Sequence, residues 1–260
     1  MPNTAQISIF DYPDTQPTSA QIIPFPTQTP SPSRIHTQHT QQRVSPIRDP
    51  QKVNQIYEAL KSSGKYGLRN ATIFALQLSI GRRTNDIAHM KLSDVYDFSC
   101  NRVKTTITVD EHKTGKTARD LSLSSQIRTL LCEYIETLKS NTPDSLLFPS
   151  RKSNPDGSQH PLSTSSIDHI YQTYTAQVFS PEDSQTHISS YAARKTFGYN
   201  ILMECNEKHG GMLPGTNIPA LQYIQSVYNH ESPLTSLRYI GAYDAPASEL
   251  AESIASQYNF

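Results

Sequence analysis

The chain has 260 residues, 35% of them hydrophobic, with 23 basic and 23 acidic side chains and a pI near 7.1. That length suits one large domain or two small ones. It holds no apolar run of membrane-spanning length and no secretory leader pattern at Met1-Pro2-Asn3-Thr4; its zero net charge removes the general basic excess usual in nucleic-acid binders, so any such surface has to be local.

Residues 1–48 hold eight of the 18 prolines, with many Thr, Gln and Ser and few charges. Such a stretch buries too little apolar surface to offset its ordering entropy and reads as disordered. Folded character is expected from Asp49-Pro50, where Val53, Ile56, Tyr57 and Leu60 recur at helical spacing and Gly64 follows as a stop. A second apolar helix runs to Ser79 and ends at Gly81. Thr84 can cap a short third helix with Asp86 in its first turn. The period then changes to two: Val103, Thr105, Ile107 and Val109 alternate with polar residues, Lys113-Thr-Gly-Lys116 is turn chemistry, and Leu121 and Leu123 mark a return strand. Helices are predicted over 125–139, 163–178, 190–205, 219–228, 232–241 and 247–258, with a loop over 205–217. The expected fold is mostly α with a small antiparallel β-sheet (α+β).

Three cysteines, Cys100, Cys132 and Cys205, are far apart and read as free thiols in a reducing compartment. No paired His and no CxxC suggests a metal, and none is expected. Gly115-Lys116-Thr117 looks like the end of a phosphate-binding loop, but Asp110 stands where that pattern needs Gly, so nucleotide binding there is rejected.

Two arginines, a lysine, a histidine and a tyrosine remain. Arg194 falls on the apolar side of its helix with Tyr191, Phe197 and Ile201, where a guanidinium needs either an internal carboxylate or an anion such as a phosphate. Arg83 follows a helix stop and precedes a helix start. It suits an anion, or a structural pairing with Asp86 or Asp94, while Arg82 beside it is expected to face solvent. Lys113 sits at a hairpin tip. His230 precedes a helix start, Ser232-Pro233, and Tyr239 lies nine residues after it. Together they make an anion clamp with a nucleophile, which suits a phosphodiester.

The order and spacing of Gly81-Arg-Arg83-Thr-Asn-Asp86-Ile, His112-Lys113-Thr-Gly-Lys116, Tyr191-Ala-Ala-Arg194 and Asn229-His230 through Arg238-Tyr239 resemble the tyrosine recombinase (phage integrase) family over about residues 50–245. The resemblance implies a catalytic domain over 49–243 and a helical tail over 244–260, which either docks on a neighbouring subunit or folds onto its own domain. It implies a site-specific DNA recombinase working without a cofactor. Tyr239 would attack the scissile phosphate to give a 3′-phosphotyrosyl link, Arg83 and Arg194 would hold the non-bridging oxygens, Lys113 would protonate the leaving 5′-oxygen, and His230 would donate a further hydrogen bond. The family usually has His where Tyr191 stands, and a phenol is a poor general base at neutral pH. That departure keeps open an alternative: a recombinase-like DNA-binding protein of weak or no activity. A helical clamping domain common in relatives has no counterpart before residue 49, as in fimbrial-type invertases. The implied partners are double-stranded DNA, further copies of the chain as a dimer or tetramer on DNA, and helper DNA-bending proteins. The implied location is cytoplasmic, on the nucleoid when bound, with no membrane partner.

Overall fold

The computed structural model describes residues 44–111, 121–139, 141–181, 183 and 187–242. Helix α1 (Pro50–Lys61) starts where Asp49 accepts from the Gln51 N–H and Pro50 needs no donor partner. It buries Ile56 and Leu60 on one stripe. Helix α2 (Gly67–Ile80) is buried nearly all round and runs through the core. Gly81 ends it at φ 61°. A Cβ there would lie 2.2 Å from the Phe197 ring, so both the backbone conformation and the packing call for glycine.

Two short helices follow, α3 (Thr84–Ala88) and α4 (Leu92–Val95). The β structure is a set of small antiparallel ladders. Strand β1 (Tyr96–Asp97) pairs with β2 (Arg102–Val103), and β3 (Thr106–Ile107) pairs with β4 (Leu121–Ser122). Beyond helix α5 (Ser125–Glu136), strand β5 (Pro149–Ser153) pairs with β6 (Gln159–Pro161). This last hairpin was not expected. Its residues, Arg151, Lys152 and Asn154 among them, are polar on both faces and give no alternation to read.

Helices α6 (Thr164–Thr175), α7 (Ser190–His209), α8 (Ala220–Tyr228) and α9 (Pro233–Ile240) complete the described chain. The long α7 extends four residues past its predicted end and shortens the expected 205–217 loop. Glu204, Glu207 and Lys208 are good helix formers, and the stop is Gly210 at φ 57°. It is also buried on more than one side: Thr196, expected on the polar face, is fully buried and accepts from the Ile47 N–H at 2.8 Å. Pro46 and Ile47 are buried there, so packing starts a few residues before Asp49.

One apolar cluster surrounds α2 and takes in Ala192 and Ala193 of α7. A second joins Phe197, Leu202 and Cys205 of α7 to Ile224 and Tyr228 of α8 and Ile240 of α9. Arg194 sits on α7 where the two clusters meet. Among the described residues no helix is long and apolar enough to cross a membrane. The predicted helix over 247–258, the tail over 244–260 and residues 1–43 lie outside the described residues.

Candidate active site

Arg83 occupies the N-cap position of α3, with extended backbone (φ −65°, ψ 147°) directly after the Gly81 turn. Its side chain is about a quarter exposed, and its Nη1 makes an ion pair with Glu111 Oε2 at 3.0 Å, at an angle outside hydrogen-bond geometry. The expectation for Arg82 is overturned. Arg82 is 3% exposed and donates to Glu111 Oε1 at 3.2 Å, to the Val227 carbonyl at 2.8 Å and to the Val109 carbonyl at 3.3 Å. The Gly81 turn sends the first arginine inward, where a buried carboxylate and two carbonyls accept from its terminal nitrogens. Glu111, itself 2% exposed, therefore stands between both guanidiniums and also accepts from Asn229 Nδ2 at 3.4 Å. The structural partner of Arg83 is thus Glu111, rather than Asp86 or Asp94.

Arg194 is 3% exposed. It donates to the Tyr228 carbonyl from Nη2 at 3.4 Å and lies 4.6 Å over the Tyr228 ring and 5.9 Å from that of Tyr239. Among the described residues no carboxylate forms an ion pair with it, and its Nη1 has no hydrogen-bond partner. A buried guanidinium with no carboxylate partner among the described residues favours the anion alternative over the internal ion pair. Arg83 and Arg194 line one cavity of about 270 Å³, with Thr84, Asn85, Ser190 and Tyr191 also on its wall. Tyr191 is 55% exposed, so it borders this cavity from the solvent side instead of the apolar side of α7.

Helix α8 ends at Asn229 in the left-handed region (φ 57°), and this turn delivers His230. Its Nδ1 lies 3.0 Å from the buried Ser236 hydroxyl, and its ring is 5.1 Å from that of Tyr239. Tyr239 rides on α9, whose start is fixed by Ser232 accepting from the Thr235 N–H and by Pro233. The Lys195 ammonium lies 5.1 Å over the Tyr239 ring. Arg83, Arg194, His230, Tyr239 and Tyr191 are thus brought together within one chain. Lys113, on which the leaving-group role was placed, lies outside the described residues. Among the described residues no cluster of His, Cys, Asp or Glu could hold a metal ion.

Burial pushes the Tyr239 phenol above its usual pKa, outweighing the downward pull of Arg194 and Arg83. Burial also pushes His230 down to about 4, with Arg194 and Arg83 adding to the effect, so the imidazole is neutral at pH 7. This has a consequence for stability. An unfolded His binds its proton near pH 6.5, while folded His230 resists until about pH 4. The unfolded state therefore binds more protons in that window, and stability falls as pH drops from 6.5 towards 4. His230→Gln is expected to flatten that part of the melting temperature against pH, which scanning calorimetry at several pH values would check.

Three residues sit at the centre of this arrangement: Arg82, which the sequence reading places in solvent, and Glu111 and Tyr228, which it does not single out. A glutamate two positions before Lys113, and one tyrosine among 14, carry no local mark. Their importance comes from partners 27 to 145 positions away.

The model of the phage integrase family matches residues 48–207, a stretch that includes Arg83 and Arg194 and stops before His230 and Tyr239. The probable integrase/recombinase YoeC of Bacillus subtilis (strain 168) is 25% identical over 198 residues, which is 76% of this chain and 90% of that protein. Among solved structures, XerA recombinase aligns with 82% of this chain and 67% of its own at a TM-score of 0.52 and 18% identity. XerH site-specific recombinase, bound to palindromic difH substrate in a post-cleavage complex, aligns with 85% of this chain and 56% of its own at 0.53 and 18% identity. A lambda integrase fragment, as a dimer bound to a COC′ core site, gives 78%, 61%, 0.51 and 16%. The chain thus spans between just over half and two thirds of these solved chains, and the shared feature is the fold.

Proposed function

Because the chain belongs to the phage integrase family, we propose that it is a site-specific DNA recombinase that cuts and rejoins strands through a 3′-phosphotyrosyl intermediate. The observation that carries this reading is the meeting of Tyr239 with a neutral His230 and a buried Arg194 that has no carboxylate partner among the described residues. In the proposed reaction the Tyr239 oxygen attacks the scissile phosphorus and the bond to the 5′-oxygen breaks. The phenol loses a proton and the departing oxygen gains one, from Lys113 in this reading. Arg83 and Arg194 grip the non-bridging oxygens and oppose the charge that builds on them. The phosphodiester energy is kept in the covalent link, so rejoining needs no other energy source.

A phenol held above its usual pKa is not ionised at rest, so its proton has to leave as the bond to phosphorus forms. The scissile phosphate itself changes the setting. Its charge opposes that of the two guanidiniums, which are what keep His230 from accepting a proton beyond the effect of burial. With Nδ1 facing Ser236, His230 serves as hydrogen-bond donor to the phosphate when its proton is on Nε2 and as acceptor of the Tyr239 proton when its proton is on Nδ1. Arg194→Ala is expected to slow single-turnover cleavage by roughly a hundred- to thousandfold with the fold retained, since it loses the contact with the Tyr228 ring and carbonyl but breaks no ion pair among the described residues. Full activity in that variant would overturn the clamp assignment.

Double-stranded DNA is the proposed substrate. Further copies of the chain and helper DNA-bending proteins are the proposed partners, in keeping with a neutral chain whose basic surface is local. The direct test uses nicked duplexes made from the DNA flanking the coding region, where loss of a short 5′ fragment traps any covalent link. Peptide mapping of the adduct is expected to find the 3′ phosphate on Tyr239. A second reading, DNA binding without chemistry, rests on Tyr191 standing half-exposed where the family usually has His. DNA retention by the wild type with no adduct on any such duplex would favour it.

A further inference from the structure

Tyr228 is fully buried at the end of α8, and its ring meets three side chains of the proposed site. The Arg194 guanidinium lies 4.6 Å over it, the His230 ring is 5.2 Å away, and the Tyr239 ring meets it edge-on at 5.2 Å. Its hydroxyl is placed unusually. It accepts from the Gly198 N–H at 3.0 Å and donates to the Arg194 carbonyl. Those two backbone groups are four residues apart, the spacing an ordinary α-helical bond joins. The phenol is therefore inserted at the turn of α7 that carries Arg194.

The neighbourhood is built for that insertion. A Cβ on residue 198 would lie 2.6 Å from the Tyr228 hydroxyl, so glycine makes the room. The Tyr228 backbone carbonyl in turn accepts from Arg194 Nη2 at 3.4 Å. One residue thus holds Arg194 at both ends, carbonyl and guanidinium, and sits one position before the Asn229 turn that delivers His230. Merely satisfying a buried phenol would need any one partner. It would not need the backbone bond of the residue whose side chain stacks on the ring.

We propose that Tyr228 is a positioning residue for strand cleavage: its hydroxyl sets the α7 turn bearing Arg194, and its ring fixes where the guanidinium, His230 and Tyr239 meet. It touches no reacting atom itself. Burial holds its phenol far above the usual range, so it takes no part in proton transfer. The inference rests on the reading of Arg194 as a phosphate clamp.

Tyr228→Phe keeps the ring and removes the inserted hydroxyl. Single-turnover cleavage of the nicked duplex is expected to slow by roughly tenfold to a hundredfold, the scale of an ångström-level misplacement, with DNA affinity unchanged. A purely structural role is separated by a second substrate whose scissile group is a methylphosphonate. With one charged oxygen replaced by methyl, the need for a guanidinium falls. Arg194→Ala should then recover cleavage, and Tyr228→Phe should match the wild type. If Arg194→Ala does not recover, the clamp reading fails. If it recovers and Tyr228→Phe stays slow, or if Tyr228→Phe is not slowed on the ordinary duplex, the positioning role fails. Should Tyr228→Phe not fold, Gly198→Ala supplies the same comparison by displacing the phenol, and failure of both to fold would assign Tyr228 to stability alone and overturn the inference.

Discussion

Tyr239→Phe is expected to abolish covalent capture of nicked DNA altogether while leaving the fold and DNA affinity in place. The variant loses one oxygen and keeps the ring. The ring makes the edge-on contact with Tyr228, the contact with His230 and the stacking under Lys195, so the packing around α9 is retained. The lost hydroxyl sits in a mostly buried setting that already disfavours its ionised form. Removing it takes a neutral hydroxyl from beside the buried Arg194 guanidinium and breaks no ion pair among the described residues, so the melting temperature should change little. In the wild type, the raised pKa has a kinetic counterpart. The proton has to be lost on the way to the transition state, so the cleavage rate should climb with pH through the neutral range. The phenylalanine variant has no rate to climb. Retained binding together with a missing adduct would place the chemistry on this phenol; an adduct formed by Tyr239→Phe would move the nucleophile elsewhere and sink the assignment.

The contrast between Tyr239 and Arg82 shows what a linear sequence carries here. The helix that presents Tyr239 is written locally: Ser232 and Pro233 start it, and Gly241 stops it at φ 68°. Helix α1 is equally local, with its Asp49 cap. Gly81 marks a helix end, and a residue after such a turn is well placed for an anion, so Arg83 was legible. Which of two adjacent arginines turns inward was not. That depends on Glu111, 29 residues on from Arg82, and on the Val227 carbonyl, 145 residues on. The same limit hid Tyr228, whose hydroxyl partners lie 30 and 34 residues away on another helix. The hairpin of β5 and β6 escaped for a different reason. A strand pair with both faces in solvent has no apolar alternation, and its Pro and Asn residues read as loop. The fold class followed from periodicity, whereas the electrostatic centre is tertiary and had to be seen in three dimensions.

Glu111→Ala is the substitution expected to cost the most stability. Glu111 is a single buried carboxylate serving two guanidiniums: Arg82, itself buried, and Arg83, partly exposed. Truncating it leaves the Arg82 charge in the core with two carbonyls and the more weakly coupled Asp86 carboxylate to answer it. Breaking a buried pair from one side typically costs about 3–5 kcal/mol. For a folded unit of this size that corresponds to a fall of roughly 6–20 °C in melting temperature. The cost should come mainly from the stranded charge, and a double-mutant cycle distinguishes this from loss of packing. Arg82→Met removes the charge and keeps much of the volume. If the stranded charge is the cause, Arg82→Met combined with Glu111→Leu should be far more stable than Glu111→Ala, because replacing a buried pair by apolar groups is often neutral. Arg83 would still lack its partner, but it has solvent to turn to. Equal destabilisation in the single and the double variant would mean that the stranded Arg82 charge is not the main cost of Glu111→Ala.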